Sequence, residues 1–279
     1  MNNNRLSVIE EFRALHNSGC FVLPNPWDVG TAVFLEHLGF KALATTSAGF
    51  AASQGLPDTV TAISRDQMLA HIREVAAATS LPVNADFQTG YADEPAGVAE
   101  SVSLCVATGV AGLSIEDASG TALAPLYEFD LAVERIKAAR EAIDSSGVPV
   151  VLTARCEAAL VGIDGPLAVA LERLVAYSEA GADCLFAPGL AEPDQVDAIV
   201  KAVAPKPVNV LVFRPNPALS VSRLADLGVR RISLGSSLAR VAWGAFIRSA
   251  RSIQESGSFE SLADAASFSE LDEVFSKRR

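Results

Sequence analysis

Residues 81–93, LPVNADFQTGYAD, are the stretch from which the fold of this chain can be inferred. Residues 82–85 form a short apolar run of the kind that makes a buried strand. The run ends abruptly in Asp86, and a turn containing Gly90 follows. Because an unpaired buried carboxylate is costly, an acid at the tip of such a strand indicates a metal ion, a hydrogen-bond network or catalysis.

Two later strands end in the same manner. Residues 111–115 run into Glu116 and Asp117, and residues 150–154 run into Arg155 and Glu157. Three neighbouring strands that end in opposite charges predict a site for a metal and an acidic ligand.

The rest of the chain repeats this unit. Eight strand-like runs alternate with eight helical segments, at roughly the 30-residue spacing of βαβ units. The predicted strands are residues 20–23, 42–45, 82–85, 112–115, 150–153, 183–186, 208–212 and 231–234. Such alternation predicts a parallel sheet, and eight units predict closure as a (β/α)8 TIM barrel. We expect one domain, residues 1–279, in which residues 257–279 form a tail with extra C-terminal helices.

A doubly wound open sheet is the competing architecture. It would need a glycine-rich dinucleotide turn after the first strand, and residues 24–26 are Pro-Asn-Pro instead.

Composition limits the partners and the compartment. The chain has 279 residues and a net charge of −11, which argues against nucleic acid or an anionic membrane as a partner. Its four cysteines show no metal-type spacing, so reduced thiols of a cytoplasmic protein are expected. The N-terminus lacks the apolar segment of a signal peptide.

Acids dominate the predicted mouth of the barrel, where the strands end. Asp86, Glu116 and Asp58 carry hard oxygen ligands that suit Mg²⁺ or Mn²⁺. An alternative for Glu116 is a structural ion pair with Arg155. The histidines all fall in predicted helices, and no strand ends in a lysine, so neither a histidine base nor a Schiff base is expected.

A possible anion site lies after the second strand. Ser47, Ala48 and Gly49, which follow Thr46, form a small-residue turn whose free N–H groups could bind a carboxylate or phosphonate, although a plain tight turn fits equally well. Arg155 is the best mouth cation for a bidentate grip on a carboxylate.

The chain resembles the isocitrate lyase/phosphoenolpyruvate mutase superfamily over nearly its whole length. Four motifs occur in the order of that family. They are Gly55-Leu56-Pro57-Asp58 for G-x-P-D, residues 84–91 (NADFQTGY) for D-x-D-x-G-[YF], residues 114–117 (SIED) for I-E-D, and residues 153–155 (TAR) for A-R.

The resemblance implies a barrel whose last helix packs on, or is swapped with, a neighbouring subunit in a homotetramer or homodimer. It implies Mg²⁺, with Mn²⁺ as the alternative, held directly by Asp86, while Asp58 and Glu116 act mostly through waters. The backbone around Ser47 and Ala48, with Arg155, would hold the carboxylate of a 2-oxo acid. Asp58, Glu116 and Arg155 are accordingly the catalytic candidates.

Departures from the family narrow the chemistry. Residues 118–125, ASGTALAP, lack the K-[KR]-C-G-H loop of isocitrate and methylisocitrate lyases, so those two activities are not expected. The same loop lacks the lysine of the mutase, and Ala187-Pro188 replaces the histidine of that enzyme. Gln88 stands where the family usually has an acid and should weaken metal binding without abolishing it.

Two residues assigned to the exit of the seventh strand are further candidates for substrate binding. Asn209 belongs to the strand itself, and Arg214 follows it. Arg214 could grip a second carboxylate, although a solvated loop arginine fits as well.

The sequence therefore predicts a Mg²⁺-dependent lyase or decarboxylase. Its substrate would be a small 2-oxo or 2-hydroxy dicarboxylic acid that reacts through an enolpyruvate-like intermediate. The alternatives are a P–C bond enzyme, such as a phosphonopyruvate hydrolase, and a non-catalytic homologue that binds a 2-oxo acid.

Overall fold

Eight parallel strands form one sheet that closes on itself. A computed structural model describes residues 3–277, and its strands follow the order β1-β8-β7-β6-β5-β4-β3-β2. The two end strands are joined by the hydrogen bond from Ala44 N to Pro24 O (3.0 Å). The strands are β1 (Phe21–Leu23), β2 (Leu43–Ala44), β3 (Val83–Asp86), β4 (Gly112–Glu116), β5 (Val151–Arg155), β6 (Cys184–Phe186), β7 (Val208–Leu211) and β8 (Arg231–Ser233). The predicted (β/α)8 barrel is confirmed.

Helices connect the strands on the outside of this barrel. They are α1 (Asn3–Leu15), α2 (Val29–His37), α3 (Ser47–Ser53), α4 (Arg65–Ala78), α5 (Pro95–Val106), α6 (Phe129–Ser145), α7 (Pro166–Glu179), α8 (Pro193–Val203), α9 (Val221–Asp226), α10 (Ser237–Ser256) and α11 (Phe268–Ser276). A 3₁₀ helix, Glu260–Asp264, precedes α11. None of these helices is both long and apolar enough to cross a membrane, within the residues described.

The main core lies between the strands and the helices that cover them. In α6 the buried side chains include Ala132, Ile136, Ala139 and Ile143, the spacing of a helix with one apolar face. In β3 the outward-facing Val83 and Ala85 are buried in the core, while the alternate side chains point into the barrel. Because these alternate residues, Asn84 and Asp86, are polar, the barrel interior is polar near its mouth.

Asn25 ties the mouth together where β1, β2 and β8 end. Its Nδ2 donates to Thr45 O (2.9 Å), and its Oδ1 accepts from Leu234 N (3.0 Å). One buried side chain thus satisfies backbone groups of two other strand exits, which fixes the loops that carry the site.

The small-residue turn expected after β2 is instead the first turn of helix α3. Thr46 is the N-cap and accepts from Gly49 N (3.2 Å) through its hydroxyl. A Cβ at Gly49 would lie 2.6 Å from Thr46 Cγ2 and 3.1 Å from Trp27 Cβ, so only glycine fits there without a shift. Residues 47–53, SAGFAAS, are short of apolar periodicity, which explains why the sequence predicts a loop.

Helix α10 packs little of its surface against the barrel. Of its 20 residues only Ala239 is buried, whereas Val241, Trp243, Phe246 and Ile247 are exposed. The tail helix α11, in contrast, packs on α2, with Val274 buried against it. The expected exchange of the last barrel helix between subunits stays a prediction, and the apolar face of α10 is compatible with it.

Candidate active site

A cavity of about 240 Å³ opens at the carboxyl ends of the strands, where catalytic residues of (β/α)8 barrels lie. Its lining combines acids, arginines, amides and hydroxyls with apolar side chains. The polar members are Asn25, Thr45, Thr46, Ser47, Asp58, Asn84, Asp86, Ser114, Arg155, Asn209, Arg231, Ser233, Ser236 and Arg240, and Ala48 and Gly235 lie among them.

Asp86 is held at the tip of β3 from two sides. Its Oδ2 accepts from Ser47 N (2.8 Å), and its own N–H donates to Thr45 Oγ1 (2.9 Å). Its Oδ1 lies 3.5 Å from Arg155 Nη1. These contacts fix the carboxylate at the mouth, where the strand that the sequence predicted ends.

Arg155 lies among three carboxylates. Its Nη1 is 3.2 Å from Glu116 Oε2 and 3.5 Å from Asp86 Oδ1, and its Nε donates to Glu157 Oε1. Burial alone would lower the pKa of Arg155, but the charges of Glu157, Glu116 and Asp86 raise it above its ordinary value. Arg155 therefore stays protonated at any ordinary pH, and three carboxyl groups surround this one guanidinium.

Glu116 is affected by burial and by its charged neighbours. Burial raises its pKa; Arg155 opposes the shift, and Glu157 and Asp86 add to it. Its Oε2 lies 3.2 Å from Arg155 Nη1, the contact expected for the alternative role of an ion pair, and Glu116 lies beside the cavity without lining it.

Asp58 reaches the cavity from the loop between α3 and α4. Desolvation and the nearby charge of Asp86 raise its pKa, and Arg155 lowers it less. Since like charges raise the pKa of a carboxylate and a bound cation would lower it, this cluster has the electrostatics of a cation site.

Gln88 and Arg214 are not among the lining residues. Gln88 is buried and its Oε1 accepts from Tyr91 Oη (2.8 Å). Arg214 is exposed, with its guanidinium 4.5 Å from the Phe213 ring centroid, and it lines a neighbouring surface hollow. The interpretation of a solvated loop arginine describes its position.

Asp117 anchors the frame of the site. It is buried, with Oδ2 3.1 Å from Arg173 Nη1 and 2.7 Å from Tyr177 Oη, and its Oδ1 accepts from Glu157 N (2.7 Å). The second acid of the I-E-D motif therefore connects β4, β5 and α7 and does not face the cavity.

The sequence reasoning missed several lining residues, above all Arg231. Arg231 is the first residue of the predicted strand 231–234. An arginine in a predicted buried strand is unusual, so it could have identified Arg231 as a candidate site residue. The hydroxyls of Ser114 and Ser233, by contrast, carried no signal, because a serine in a strand is common.

The donor set fits a divalent ion. Among residues 3–277 no group of three or more His, Cys, Asp or Glu side chains is arranged to hold a metal directly. Mg²⁺ usually takes one or two carboxylates and keeps several waters, so Asp86 in the cavity with Asp58 and Glu116 around it meets that need.

The chain matches the family described as phosphoenolpyruvate phosphomutase over residues 12–254. A structure described as a "putative lyase/mutase from Burkholderia cenocepacia J2315" is 46% identical, with a TM-score of 0.93, and the match covers 98% of this chain and 97% of that one.

Two further relatives carry enzyme names. The 2-methylisocitrate lyase of Halalkalibacterium halodurans is 27% identical over 282 residues, or 96% of this chain and 90% of the relative. The structure of oxaloacetate acetylhydrolase in complex with the product oxalate is 27% identical, with a TM-score of 0.85, covering 96% of this chain and 94% of that one.

These named relatives are carbon–carbon lyases, which confirms the prediction of an enzyme of that type. The family match spans most of the chain, and the four motifs lie around one barrel mouth. The chain belongs to the phosphoenolpyruvate mutase/isocitrate lyase superfamily.

Proposed function

We propose that this protein is a Mg²⁺-dependent lyase or decarboxylase that acts on a small 2-oxo or 2-hydroxy dicarboxylic acid. The observation that carries the proposal is the meeting of Asp86, Arg155 and the first turn of α3 in one cavity at the barrel mouth. A carboxylate for a cation and a guanidinium for an anion then lie within the reach of one small ligand.

Asp86 would hold the metal directly, and Asp58 and Glu116 would act mostly through waters, with Mn²⁺ as the alternative ion. When bound, the ion would stabilise the negative charge that develops on the 2-oxo oxygen. Gln88 would support these metal-binding residues from outside the cavity, because its Oε1 already accepts a hydrogen bond from Tyr91.

Arg155 and the backbone of Ser47 and Ala48 would orient the substrate carboxylate, and the Ser47 N–H would have to exchange its bond to Asp86 for one to the substrate. The guanidinium is positioned by Glu116 and Glu157, so it does not have to be ordered when the substrate binds. Thr46 and Gly49 support this segment through the helix cap.

The opposite wall of the cavity supports a narrower substrate class. Leu160, Phe186, Leu211 and Phe213 line it on the β5, β6 and β7 side, across the barrel from β2 and β3. An apolar wall stabilises an aliphatic substituent and disfavours a charged one. We therefore expect alkyl-substituted malates or oxaloacetates to be better substrates than acids with a third carboxylate.

Ser119 and Thr121 supply no acid or base to the cavity. Both hydroxyls are bonded to Ala124 O within their own loop, and neither residue lines the cavity. A reaction that proceeds by charge stabilisation and positioning fits this arrangement better than one that needs a loop base.

The test is release of the product 2-oxo acid from a panel of oxaloacetate, alkyl-substituted malates and phosphonopyruvate, with Mg²⁺ and with a chelator. That product is pyruvate from oxaloacetate, 2-methyl-substituted malates and phosphonopyruvate, and glyoxylate from malates that carry an alkyl group only on C3. Asp86→Asn keeps the shape of the side chain and removes its charge, and it should lower kcat/KM by about 100-fold or more. Asp66→Asn, at an exposed position of α4, is the matched control and should leave turnover unchanged.

The outcomes separate the alternatives. Free metal alone decarboxylates oxaloacetate slowly, so this background rate is subtracted first. Turnover above the background that survives chelation or Asp86→Asn contradicts the proposal. Phosphate release from phosphonopyruvate indicates the P–C enzyme. Thermal stabilisation by an oxo acid with Mg²⁺ but without turnover indicates the non-catalytic homologue.

A further inference from the structure

Arg231 is a buried arginine under the floor of the cavity. It lies in β8, its residue is 2% exposed, and its side chain reaches the cavity lining from below. Its Nε donates to Asn209 Oδ1 (2.9 Å) and its Nη2 to Thr153 Oγ1 (2.9 Å). Its Nη1 lies 3.3 Å from His16 Nε2. Three uncharged groups therefore hold one buried charge.

No carboxylate of residues 3–277 pairs with Arg231. Burial lowers its pKa, and the nearby Cys184 opposes that shift. Arg155 and Arg173, in contrast, each contact a carboxylate within 3.5 Å. Buried charges are normally paired, so this guanidinium carries a cost that the folded protein alone does not offset.

Arg231 determines which side-chain group of Asn209 can face the cavity. A guanidinium can only donate, so Asn209 must turn its Oδ1 towards Arg231. Its Nδ2 then donates to Ser233 Oγ (2.9 Å), and one Nδ2 hydrogen remains for the cavity. Because Ser233 Oγ accepts that bond, its own hydrogen is free to donate. The floor thus presents N–H and O–H donors.

His16 completes the arrangement from α1. Its Nδ1 lies 2.7 Å from Phe12 O, which accepts the ring proton, so Nε2 is left as an acceptor for Arg231. Burial and the charge of Arg231 lower the pKa of His16 to about 3, which keeps the ring neutral. The histidine therefore fixes the guanidinium without neutralising it.

We propose that Arg231 is a positioning residue for an anionic group of the substrate. It supplies an uncompensated positive charge under the floor and orients Asn209 and Ser233 as donors to one anionic oxygen. The inference rests on the proposed function in one respect, since the anion is taken to belong to the oxo acid. The missing counter-ion of Arg231 is then the substrate itself.

A purely structural role makes the opposite prediction. If Arg231 only filled the barrel interior, its replacement would lower stability and leave anion binding alone. If it serves the anion, an apolar replacement weakens anion binding, whatever the balance between the lost buried charge and the three lost hydrogen bonds does to stability.

The experiment measures oxalate binding by calorimetry with saturating Mg²⁺, together with the thermal midpoint of each variant. Oxalate is a small dianion with the shape of a 2-oxo acid enolate. Arg231→Met, measured at a temperature where the variant is folded, should weaken oxalate binding about 10- to 100-fold. Arg231→Lys keeps the charge and should restore most of that affinity.

Arg140→Met is the matched control. Arg140 is also mostly buried, but it contacts Asp183 (3.0 Å) at the other end of β6. Its replacement should lower the midpoint and leave oxalate binding within about threefold of the unchanged protein, since no cavity group is involved.

Each result decides the inference. Unchanged oxalate binding in Arg231→Met overturns it and leaves the proposed function standing. A wild-type protein that does not bind oxalate overturns both. If Arg231→Met does not fold, Asn209→Asp replaces it: an acid beside Arg231 should raise the thermal midpoint, and a lowered midpoint overturns the inference.

Discussion

Two buried histidines should make this enzyme unstable in mild acid. His71 is 4% exposed, stacks on Phe50 with ring centroids 3.9 Å apart, and has no hydrogen-bond partner at Nε2. Burial lowers its pKa to about 4, and Asp28 opposes the shift only weakly. Burial and Arg231 lower that of His16 to about 3.

The direction follows from proton binding. An unfolded histidine takes up its proton near pH 6.5, whereas these two take it up only near 4 and 3 when folded. Below pH 6.5 the unfolded state therefore binds more protons, and stability falls as the pH falls towards those values. Between pH 7 and pH 5 each histidine costs about 2 kcal/mol, or about 4 kcal/mol together.

The assay is urea denaturation at pH 7 and pH 5, followed by circular dichroism. His71→Phe keeps an aromatic ring on Phe50 and removes the titration, so its loss of stability between the two pH values should be about 2 kcal/mol smaller than that of the unchanged protein. His37→Gln, at an exposed position, is the control and should keep the full loss. An equal loss in His71→Phe and in the unchanged protein would refute the reasoning.

Two further predictions concern stability and assembly. Arg173→Met should lower the free energy of unfolding by about 3–5 kcal/mol, because Asp117 keeps a buried charge with only the uncharged donors Tyr177 Oη and Glu157 N beside it; an equally stable variant in urea titration would show that Asp117 does not need the arginine. If the apolar face of α10 packs on another subunit, Phe246→Asp should lower the mass measured by light scattering, while Arg248→Asp, two residues on, serves as a surface control. A mass that Phe246→Asp leaves unchanged would contradict that packing.

Local sequence was enough for the elements of the barrel. The strand at residues 82–85 is observed as Val83–Asp86, and the strand at residues 183–186 is observed as Cys184–Phe186. Apolar runs that alternate with helical segments determine these elements, because a parallel strand that is buried on both faces needs a nearly continuous run of apolar residues. The sequence did not predict helix α3, because most of residues 47–53 are small and the role of Thr46 as its N-cap is visible only in the folded structure.

Part of the site was predicted from the same apolar strand pattern. Asp86 and Arg155 end apolar strands, and strand ends of a parallel barrel meet at one mouth, so their proximity follows from the pattern. The placement of Gln88 against Tyr91 does not follow, because a turn with positive φ at both residues (47° and 58°) directs the side chain.

The sequence by itself determined the barrel, the superfamily and the charged residues at the strand ends. All of these depend on local apolar patterning and on short motifs. Only the tertiary structure decided which charges are neutralised and which are not. Arg155 lies among three acids, Arg214 lies outside the cavity, and Arg231 contacts His16 across 215 positions of the chain without a carboxylate partner. The reason is physical: the energy of a charge depends on its distance to other charges and on its burial, and chain closure sets both.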